Sequence, residues 1–336
     1  MAIAVFTLVL ALIVGGLGLL AQAGRSGVPP AIALFVVLLA CSLLVSLVGA
    51  FAGIGFLLAA SEAEANVSTT EQIAFAAAGA TALVAGMAGV ALCVPLLRRV
   101  VGSGPERKFW ADPPITLALW LSTMILANNV VSFLIFTQEP DVASLFPDGR
   151  VSPIVILSSQ LPFVIVAAMG VGIFFRRNPR QTIERLGYGK ISMKHFGAIS
   201  LFVAAALGLS FAADALFAAL QPDLYSQVGE LSENLFSPQG LNPISAILFA
   251  LLIGVGAGLG EETLFRGALQ PALGIVFTSI LFASLHVQYG PSLLLGYVLL
   301  LSFGLGLLRK HINTTASFVA HAGYNTISVL LAYFLV

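Results

Sequence analysis

The sequence predicts an all-α, polytopic helical membrane protein with about ten transmembrane helices. Of the 336 residues, 59% are hydrophobic and only 9% are charged, with 15 basic and 15 acidic side chains. Soluble globular domains carry about 25% charged residues, so this chain has too few to cover a water-facing surface. Its apolar runs are long and unbroken. Because the bilayer core admits only helices or closed barrels, such runs favour helices.

The same composition excludes several classes of protein. The chain is too apolar for a soluble enzyme or a disordered protein, and its net charge of zero gives no broad basic patch for nucleic acid. Cys41 and Cys93 lie in apolar runs, so neither predicts a disulfide or a CxxC metal site. We therefore expect a multi-pass integral protein of the cell membrane that has the lipid bilayer, and no nucleic acid, as a partner.

The first apolar run, 3–22, is long enough to cross the bilayer, which takes roughly 20 residues. A signal peptide is the alternative interpretation. Against it, the segment from Met1 to Phe6 contains no Lys or Arg, and the run exceeds the usual hydrophobic region of a signal peptide. We therefore expect a retained helix.

The remaining nine runs follow at intervals that leave only short aqueous loops. Four more precede residue 194: 31–59, 73–97, 115–136 and 153–175. Five come after it: 195–219, 243–273, 275–289, 291–308 and 314–335. The runs 31–59 and 243–273 are longer than a span requires, so we expect them to tilt or protrude, whereas 275–289 is short.

Basic and acidic loops alternate along the chain. The basic loops contain Arg98, Arg99, Arg107 and Lys108, then Arg176, Arg177, Arg180, Arg185, Lys190 and Lys194, then Arg309 and Lys310. The acidic loops contain Glu62, Glu64 and Glu71, then Glu139, Asp141 and Asp148, then Asp223, Glu230 and Glu233. Because Lys and Arg mark the cytoplasmic side, this alternation predicts that both termini lie outside.

The polarity of the apolar runs changes near residue 195. Runs before it contain few polar groups, whereas runs after it contain ionisable side chains. We therefore interpret 1–194 as an N-terminal membrane scaffold and 195–336 as the functional core.

The strongest polar motif is Gly260-Glu-Glu-Thr-Leu-Phe-Arg-Gly267, inside an apolar run. A charged side chain at mid-bilayer costs at least ~2.5–3.5 kcal/mol, so each of these charges needs an explanation. On a helix, Glu262 and Arg266 are spaced i,i+4 and can form an internal ion pair. Glu261 has no such partner. Helix packing alone therefore accounts for Glu262 and Arg266 but leaves Glu261 unexplained.

Two further motifs place polar groups at a similar depth. His286 ends Phe282-Ala-Ser-Leu-His286, and His321 and Asn325 are spaced i,i+4 in the last run. If the chain turns at Gly274, Glu261 and His286 each lie roughly 18–20 Å from that turn along their helices. His321 and Asn325 lie about 11 Å and 17 Å into the last helix from the same side. We therefore expect these four side chains in one membrane layer.

This set of side chains suits the hydrolysis of an amide. A carboxylate and an imidazole can hold a water molecule and take its proton, which is typically worth about 10²–10⁴-fold in rate. His321 and Asn325 can donate hydrogen bonds to an oxyanion. Zinc held by Glu261, His286 and His321 is the alternative, since Glu and two His form a known ligand set with water in the fourth place. The sequence contains no HExxH motif and is consistent with both mechanisms.

The three motifs, in this order and each on its own predicted helix, resemble those of the CPBP intramembrane proteases. That family includes the type II CAAX prenyl proteases and bacterial relatives linked to bacteriocin processing and immunity. The segment Glu184-Arg185-Leu186-Gly187 also resembles the family's lead-in, so the likeness covers about 184–336.

The resemblance implies an intramembrane endopeptidase that acts on membrane-associated, prenylated or leader peptides. It implies that Glu261 activates water with His286 as its partner, and that His321 and Asn325 form the oxyanion site. Glu262 and Arg266 would hold the helix, and contact with the substrate is the further role that the resemblance leaves open for them. Members of the family have been described both as metalloproteases and as glutamate proteases, so zinc and a metal-independent site both remain open.

Two other functions are compatible with the same residues. A proton-coupled transporter could use the Glu and His side chains as a relay, and an immunity or scaffold protein would need no turnover. The peptide or protein substrate is not identified by the sequence, and neither is an oligomeric state.

Outside the three motifs, other residues predict helix contacts. Gly254 and Gly258 form a small-xxx-small pair before Glu261, which predicts close approach of another helix. Asn128, Asn129 and Gln160 predict hydrogen bonds between helices.

Overall fold

The computed structural model describes residues 2–60, 68–94, 112–136 and 151–335. Regular secondary structure within these ranges is helical, apart from an isolated bridge between Ile173 and Arg177. The predicted all-α class is therefore confirmed. Most charges of the first acidic loop, and all of those that mark the loops 95–111 and 137–150, lie outside the described residues.

The helices follow the apolar runs closely. The first four are α1 (Ala2–Gly24), α2 (Val28–Ala60), α3 (Thr69–Cys93) and α4 (Pro113–Phe136). Next come α5 (Pro153–Gly170), the short α6 (Pro179–Arg185), α7 (Met193–Leu220) and α8 (Pro222–Phe236). The last part contains α9 (Pro243–Glu262), a π-helical turn (Thr263–Leu269), α10 (Gln270–Leu273), α11 (Ile275–Ser284), α12 (Leu293–His311) and α13 (Thr314–Leu335).

Within the described ranges, nine helical segments are long and apolar enough to cross a membrane. The predicted span 243–273 is one of them and combines α9, the π-helical turn and α10. The predicted run 275–289 differs, because it contains only the ten-residue α11 and a 3₁₀ turn, Val287–Tyr289. At about 1.5 Å per residue α11 rises only about 15 Å, half of a bilayer core, so His286 follows a helix that stops partway.

The chain divides into two compact units, one of residues 20–140 and one of 1–19 with 141–336. Helix α5 therefore groups with the C-terminal helices. The predicted division at residue 194 concerns function rather than compactness, and it stays a prediction.

In the unit 20–140, glycines bring α2 and α3 into close contact. A methyl group on Gly79 would lie 2.6 Å from the Gly53 Cα atom, so no larger residue fits without a shift. Trp120 on α4 donates a 2.7 Å hydrogen bond from Nε1 to Ser42 Oγ on α2, which satisfies a buried indole N–H.

In the other unit, α9 packs against α13 through Gly254 and Gly258. A methyl group on Gly254 would lie 2.6 Å from the Ala322 carbonyl oxygen and 2.1 Å from Thr326 Oγ1. A methyl group on Gly258 would lie 3.2 Å from Ala322. The predicted close approach of a second helix at this pair is therefore present, and it brings the end of α9 beside α13.

This contact leads to a stability prediction with a matched control on the same helix. Gly254→Ala should lower the free energy of unfolding by about 1–3 kcal/mol, the usual cost of overpacking, because the Ala322 backbone cannot move aside freely. Gly256→Ala should be tolerated, because the nearest atom would be Ile156 Cγ2 at 3.5 Å. Thermal unfolding of both variants in detergent checks this. Equal melting temperatures for the two would contradict the packing described.

In the unit of residues 1–19 and 141–336, hydrogen bonds show which loops lie together at one end of the helices. At one end, Gln221 Oε1 accepts from the Leu293 N–H at 3.0 Å and the Tyr333 hydroxyl donates to the Leu241 carbonyl at 3.0 Å. At the other end, Asn313 Nδ2 donates to the Lys190 carbonyl at 3.0 Å. The basic segments before α7 and before α13 thus lie together, as the charge pattern predicts. Their cytoplasmic location stays a prediction.

Candidate active site

Helix α9 brings two adjacent carboxylates to the point where the helix changes geometry. It begins with Asn242, whose side chain accepts from the Ser245 N–H at 3.0 Å, followed by Pro243 at the first helical position. It ends at Glu262, and the π-helical turn follows. Single π turns inside α-helices occur frequently at functional sites.

Glu262 is the buried centre of a polar cluster formed by Glu261, Glu262, Arg266, Ser317 and His321, here called the carboxylate cluster. The Glu262 side chain has no solvent exposure. Its Oε1 lies 2.9 Å from His321 Nδ1, its Oε2 accepts a hydrogen bond from Ser317 Oγ, and Arg266 Nε lies 3.3 Å from Oε2. A buried carboxylate is tolerated when it is paired and hydrogen-bonded in this way.

Arg266 is buried, and only its Nη2 makes hydrogen bonds in the described structure. Its side chain is 1% exposed, and Nη2 donates to the Ser302 carbonyl at 3.1 Å and to Ser302 Oγ at 3.0 Å. The guanidinium carbon also lies 4.6 Å from the centre of the Phe282 ring, within cation–π range. The predicted i,i+4 pair with Glu262 is therefore present, and it joins the π-helical turn to α11 and α12.

Glu261 has a different environment from its neighbour. Its Oε2 atom is buried and has no hydrogen-bond partner among the described residues. It lies 3.9 Å from His321 Nε2, too far for a direct hydrogen bond. At that distance Oε2 and Nε2 are close enough to contact the same bound molecule. Glu262 is thus paired, whereas Glu261 has an oxygen available for a further hydrogen bond.

His321 connects the two carboxylates through opposite sides of its ring. A carboxylate accepts but does not donate, so the 2.9 Å contact with Glu262 places a proton on Nδ1. Nε2 is thereby left to face Glu261. Nε2 donates a hydrogen bond when it carries a proton and accepts one when it does not.

His286 reaches the cluster through an aromatic ring. Its Nδ1 lies 3.1 Å from the Phe282 carbonyl oxygen, and its ring centre lies 5.0 Å from that of Phe282. The Phe282 ring in turn lies 5.9 Å from His321. Among the described residues His286 forms no ion pair with Glu261, so the structure puts His321, rather than His286, nearest to that carboxylate.

Asn325 lies one turn beyond His321 on α13 and is half-buried. It makes no hydrogen bond to the carboxylate cluster, as far as the described residues show. All six sequence-predicted site residues are therefore in one unit: Glu261, Glu262 and Arg266 near the end of α9, His286 after α11, and His321 and Asn325 on α13.

Two residues of the site were not predicted from the sequence. Ser317 precedes His321 by four positions on α13, so helical spacing could have identified it. Ser302 on α12 binds Arg266, and no signal in its own apolar run marks it. Its role depends on a contact between segments far apart in the sequence.

The segment 186–188, which begins within the lead-in, ties the π-helical turn to the start of α13. Thr314 Oγ1 donates to the Leu186 carbonyl at 2.6 Å, and the Tyr188 hydroxyl is hydrogen-bonded to Thr263 Oγ1. Gly187 has φ 79°, and a methyl group there would lie 2.8 Å from Thr314 Oγ1. Burial raises the pKa of the Tyr188 hydroxyl, so it stays protonated near neutral pH. This segment therefore fixes the helix that bears the two carboxylates.

The fit of a zinc ion can be judged from the donor atoms. In the described part of the chain, no group of three or more His, Cys, Asp or Glu side chains is arranged to hold a metal ion. His321 uses Nδ1 for Glu262 and His286 has Nδ1 against the Phe282 carbonyl, so each ring has only Nε2 left for a metal. In the described structure Glu261, His286 and His321 are not grouped closely enough to hold a zinc ion.

Comparison with known proteins places the same segment in a family. The model of the Rce1-like type II CAAX prenyl endopeptidases matches residues 243–327, which include all six predicted site residues. The chain is also 30% identical over 165 residues to "Uncharacterized protein YpbD" of Bacillus subtilis (strain 168), covering 47% of this chain and 81% of YpbD. No solved structure matches the chain.

Proposed function

The chain belongs to the Rce1-like family of type II CAAX prenyl endopeptidases, and from this membership we propose that it hydrolyses peptide bonds within the bilayer. One observation carries the proposal to particular residues. Glu261 keeps a buried carboxylate oxygen without a partner, 3.9 Å from a ring nitrogen of His321, while the adjacent Glu262 is fully paired. Neither a transporter nor a non-catalytic scaffold is favoured by the family.

In the proposed reaction Glu261 is the general base. It takes one proton from a water molecule, whose oxygen attacks the carbonyl carbon of the scissile peptide bond. His286 is proposed as the second partner of that water. The C–N bond then breaks, and Glu261 returns the proton to the departing amine, so that one water is consumed for each bond cleaved.

The developing oxyanion needs hydrogen-bond donors, which α13 is proposed to supply. With both ring nitrogens protonated, His321 bonds Glu262 through Nδ1 and offers Nε2–H to the oxyanion. Asn325 is proposed to donate its amide N–H from the next turn of the helix. Glu262 thus orients His321, and Arg266 balances the charge of Glu262. Neither Glu262 nor Arg266 needs to contact the substrate.

The substrate class is proposed from the family alone. A peptide with a prenylated C-terminal CAAX tail is the first candidate, and a membrane-associated leader peptide is the second. A site enclosed by transmembrane helices suits substrates already held at the membrane. We further propose that the protein acts in the cell membrane.

A survey of protein termini tests the function without a known substrate. Membranes from cells that contain the wild-type chain, the Glu261→Gln variant or no chain are compared by mass spectrometry for new N- and C-termini. Termini present only with the wild-type chain are expected. If every terminus seen with the wild-type chain also appears with Glu261→Gln, the proposed role of Glu261 is wrong.

Asn325 provides a prediction that separates chemistry from stability. Asn325→Ala should lower the rate constant of cleavage by about 10²–10³, the usual effect of losing one oxyanion donor. It should leave the melting temperature nearly unchanged, because the side chain makes no hydrogen bond to the carboxylate cluster. Cleavage assays and thermal unfolding of one preparation measure both effects. Full activity in Asn325→Ala would remove this residue from the oxyanion site.

Metal removal distinguishes the two mechanisms that the sequence left open. Because the expected zinc ligands are not arranged for a metal, cleavage should continue at the wild-type rate after dialysis against a strong chelator. A zinc-dependent protease treated in the same way serves as the control. Activity that is lost on chelation and restored by added zinc would instead favour the metal-dependent mechanism.

A further inference from the structure

Gln160, on α5, contacts the helix that bears the carboxylates at the residue before Glu261. A methyl group on Gly260 would lie 2.5 Å from Gln160 Oε1 and 2.8 Å from the Gln160 carbonyl oxygen. No side chain larger than glycine fits at position 260 unless α5 moves. Gly260 thus lets α5 place the Gln160 amide beside the residue that precedes Glu261.

The polar atoms at this contact differ in their hydrogen bonding. Gln160 Oε1 and Glu261 Oε2 are both buried and lack a hydrogen-bond partner among the described residues. The amide nitrogen of Gln160 has only a long contact, 3.5 Å, to Ser159 Oγ. A buried acceptor without a donor costs about 1–3 kcal/mol, so each of these two atoms calls for a donor.

The Gln160 amide can itself supply that donor. Its Oε1 atom lies beside Gly260, the residue that precedes Glu261. A half-turn of the amide exchanges its nitrogen and oxygen at almost no steric cost, and it puts an N–H donor in that place. Because the bond to Ser159 is long, little is lost by breaking it.

We propose that Gln160 is a positioning residue for Glu261, holding its carboxylate from α5 so that one oxygen remains free for the water. This inference rests on the proposed function. Gln160 lies outside the three motifs and outside the matched segment 243–327. It adds α5 to the helices that build the site. Helix α5 belongs to the same compact unit as the C-terminal helices.

Around Glu261, Gln160 is a neutral group among several that are charged or titratable. The groups that face Glu261 from its own and neighbouring elements are Glu262, Arg266, Tyr289 and His321. A neutral amide can support the carboxylate without competing for its proton. A second carboxylate in the same place would hold a proton jointly with Glu261, which would hinder its action as a base.

The test compares Gln160→Leu and Gln160→Glu with the wild-type protein in liposomes. The probe is a synthetic peptide spanning a Glu261-dependent cleavage site from the survey of termini. Gln160→Leu should lower kcat by about 10- to 10²-fold, the scale of a misplaced catalytic group, while KM changes little. Gln160→Glu should shift the acidic limb of the pH–rate profile to higher pH. Gln239→Leu, at an exposed glutamine, is the matched control and should leave kcat and the profile unchanged.

The results separate this inference from the function on which it rests. If Glu261→Gln is inactive but both Gln160 variants keep the wild-type kcat and pH profile, the positioning role is wrong and the proposed function stands. If no terminus depends on Glu261, both proposals fall. If Gln160→Leu does not fold, the nearly isosteric Gln160→Glu decides, and an unshifted acidic limb overturns the inference.

Discussion

Arg266→Ala is expected to lower the free energy of unfolding by about 3–5 kcal/mol, the usual cost of leaving one partner of a buried ion pair unpaired. Glu262 would keep its hydrogen bonds to Ser317 and His321 but lose the guanidinium that pairs with it, at a position without solvent exposure. The bonds from Arg266 to Ser302 and the contact with Phe282 would be lost as well. Since domains are typically stable by 5–15 kcal/mol, this loss is large.

Two further variants test whether charge pairing is the cause. Glu262→Gln with Arg266→Ala removes both charges and should recover part of the lost stability, though not the bonds that Arg266 made to Ser302. Arg180→Ala breaks an exposed pair with the same i,i+4 spacing, to Glu184, and should cost less than about 1 kcal/mol. Thermal or denaturant unfolding in one detergent measures all three. A double variant less stable than Arg266→Ala alone would show that the two side chains do not compensate each other.

Glu261→Gln should fold normally and lose cleavage by at least ~10²-fold, the low end of general-base catalysis. The amide has the size of the carboxylate and can fill the same space, but it cannot accept the proton of the water. Because Glu261 Oε2 has no hydrogen-bond partner to lose, stability should change little. The rate of peptide cleavage and the melting temperature of the same preparation are the measurements.

Glu184→Gln is the matched control for this variant. Glu184 is exposed on α6 and pairs only with Arg180 in the described structure, so its neutralisation should leave cleavage unchanged. Loss of cleavage together with a lower melting temperature in Glu261→Gln would indicate a structural role for Glu261. Normal cleavage would show that it is not the base.

The features that the sequence predicted correctly are local. The membrane spans follow from runs of apolar residues, and the pair Glu262–Arg266 follows from a spacing of four on one helix. The approach of α13 to Gly254 and Gly258 follows from two small residues one turn apart. Each depends on neighbours within a few positions, where helix geometry fixes the outcome.

The features that the sequence did not predict depend on contacts between distant segments or on small changes in the backbone. Nothing in the composition of 263–269 indicates a π-helical turn, and the early end of α11 at Ser284 leaves a half-length helix where a span was expected. His321 lies nearer than His286 to Glu261, and both imidazoles lie against the ring of Phe282. Such arrangements are set by packing, which spacing within one helix does not specify.

The central claim is that Glu261 activates a water molecule to cleave a peptide bond inside the membrane. The most direct measurement follows cleavage of the survey-derived peptide by purified protein in liposomes, in water enriched in heavy oxygen. Mass spectrometry then shows the origin of the oxygen in the new C-terminal carboxylate. The account predicts one heavy oxygen per cleavage with the wild-type protein and with Glu184→Gln, and at least ~10²-fold less product with Glu261→Gln. Labelled product formed by Glu261→Gln at the wild-type rate would contradict it.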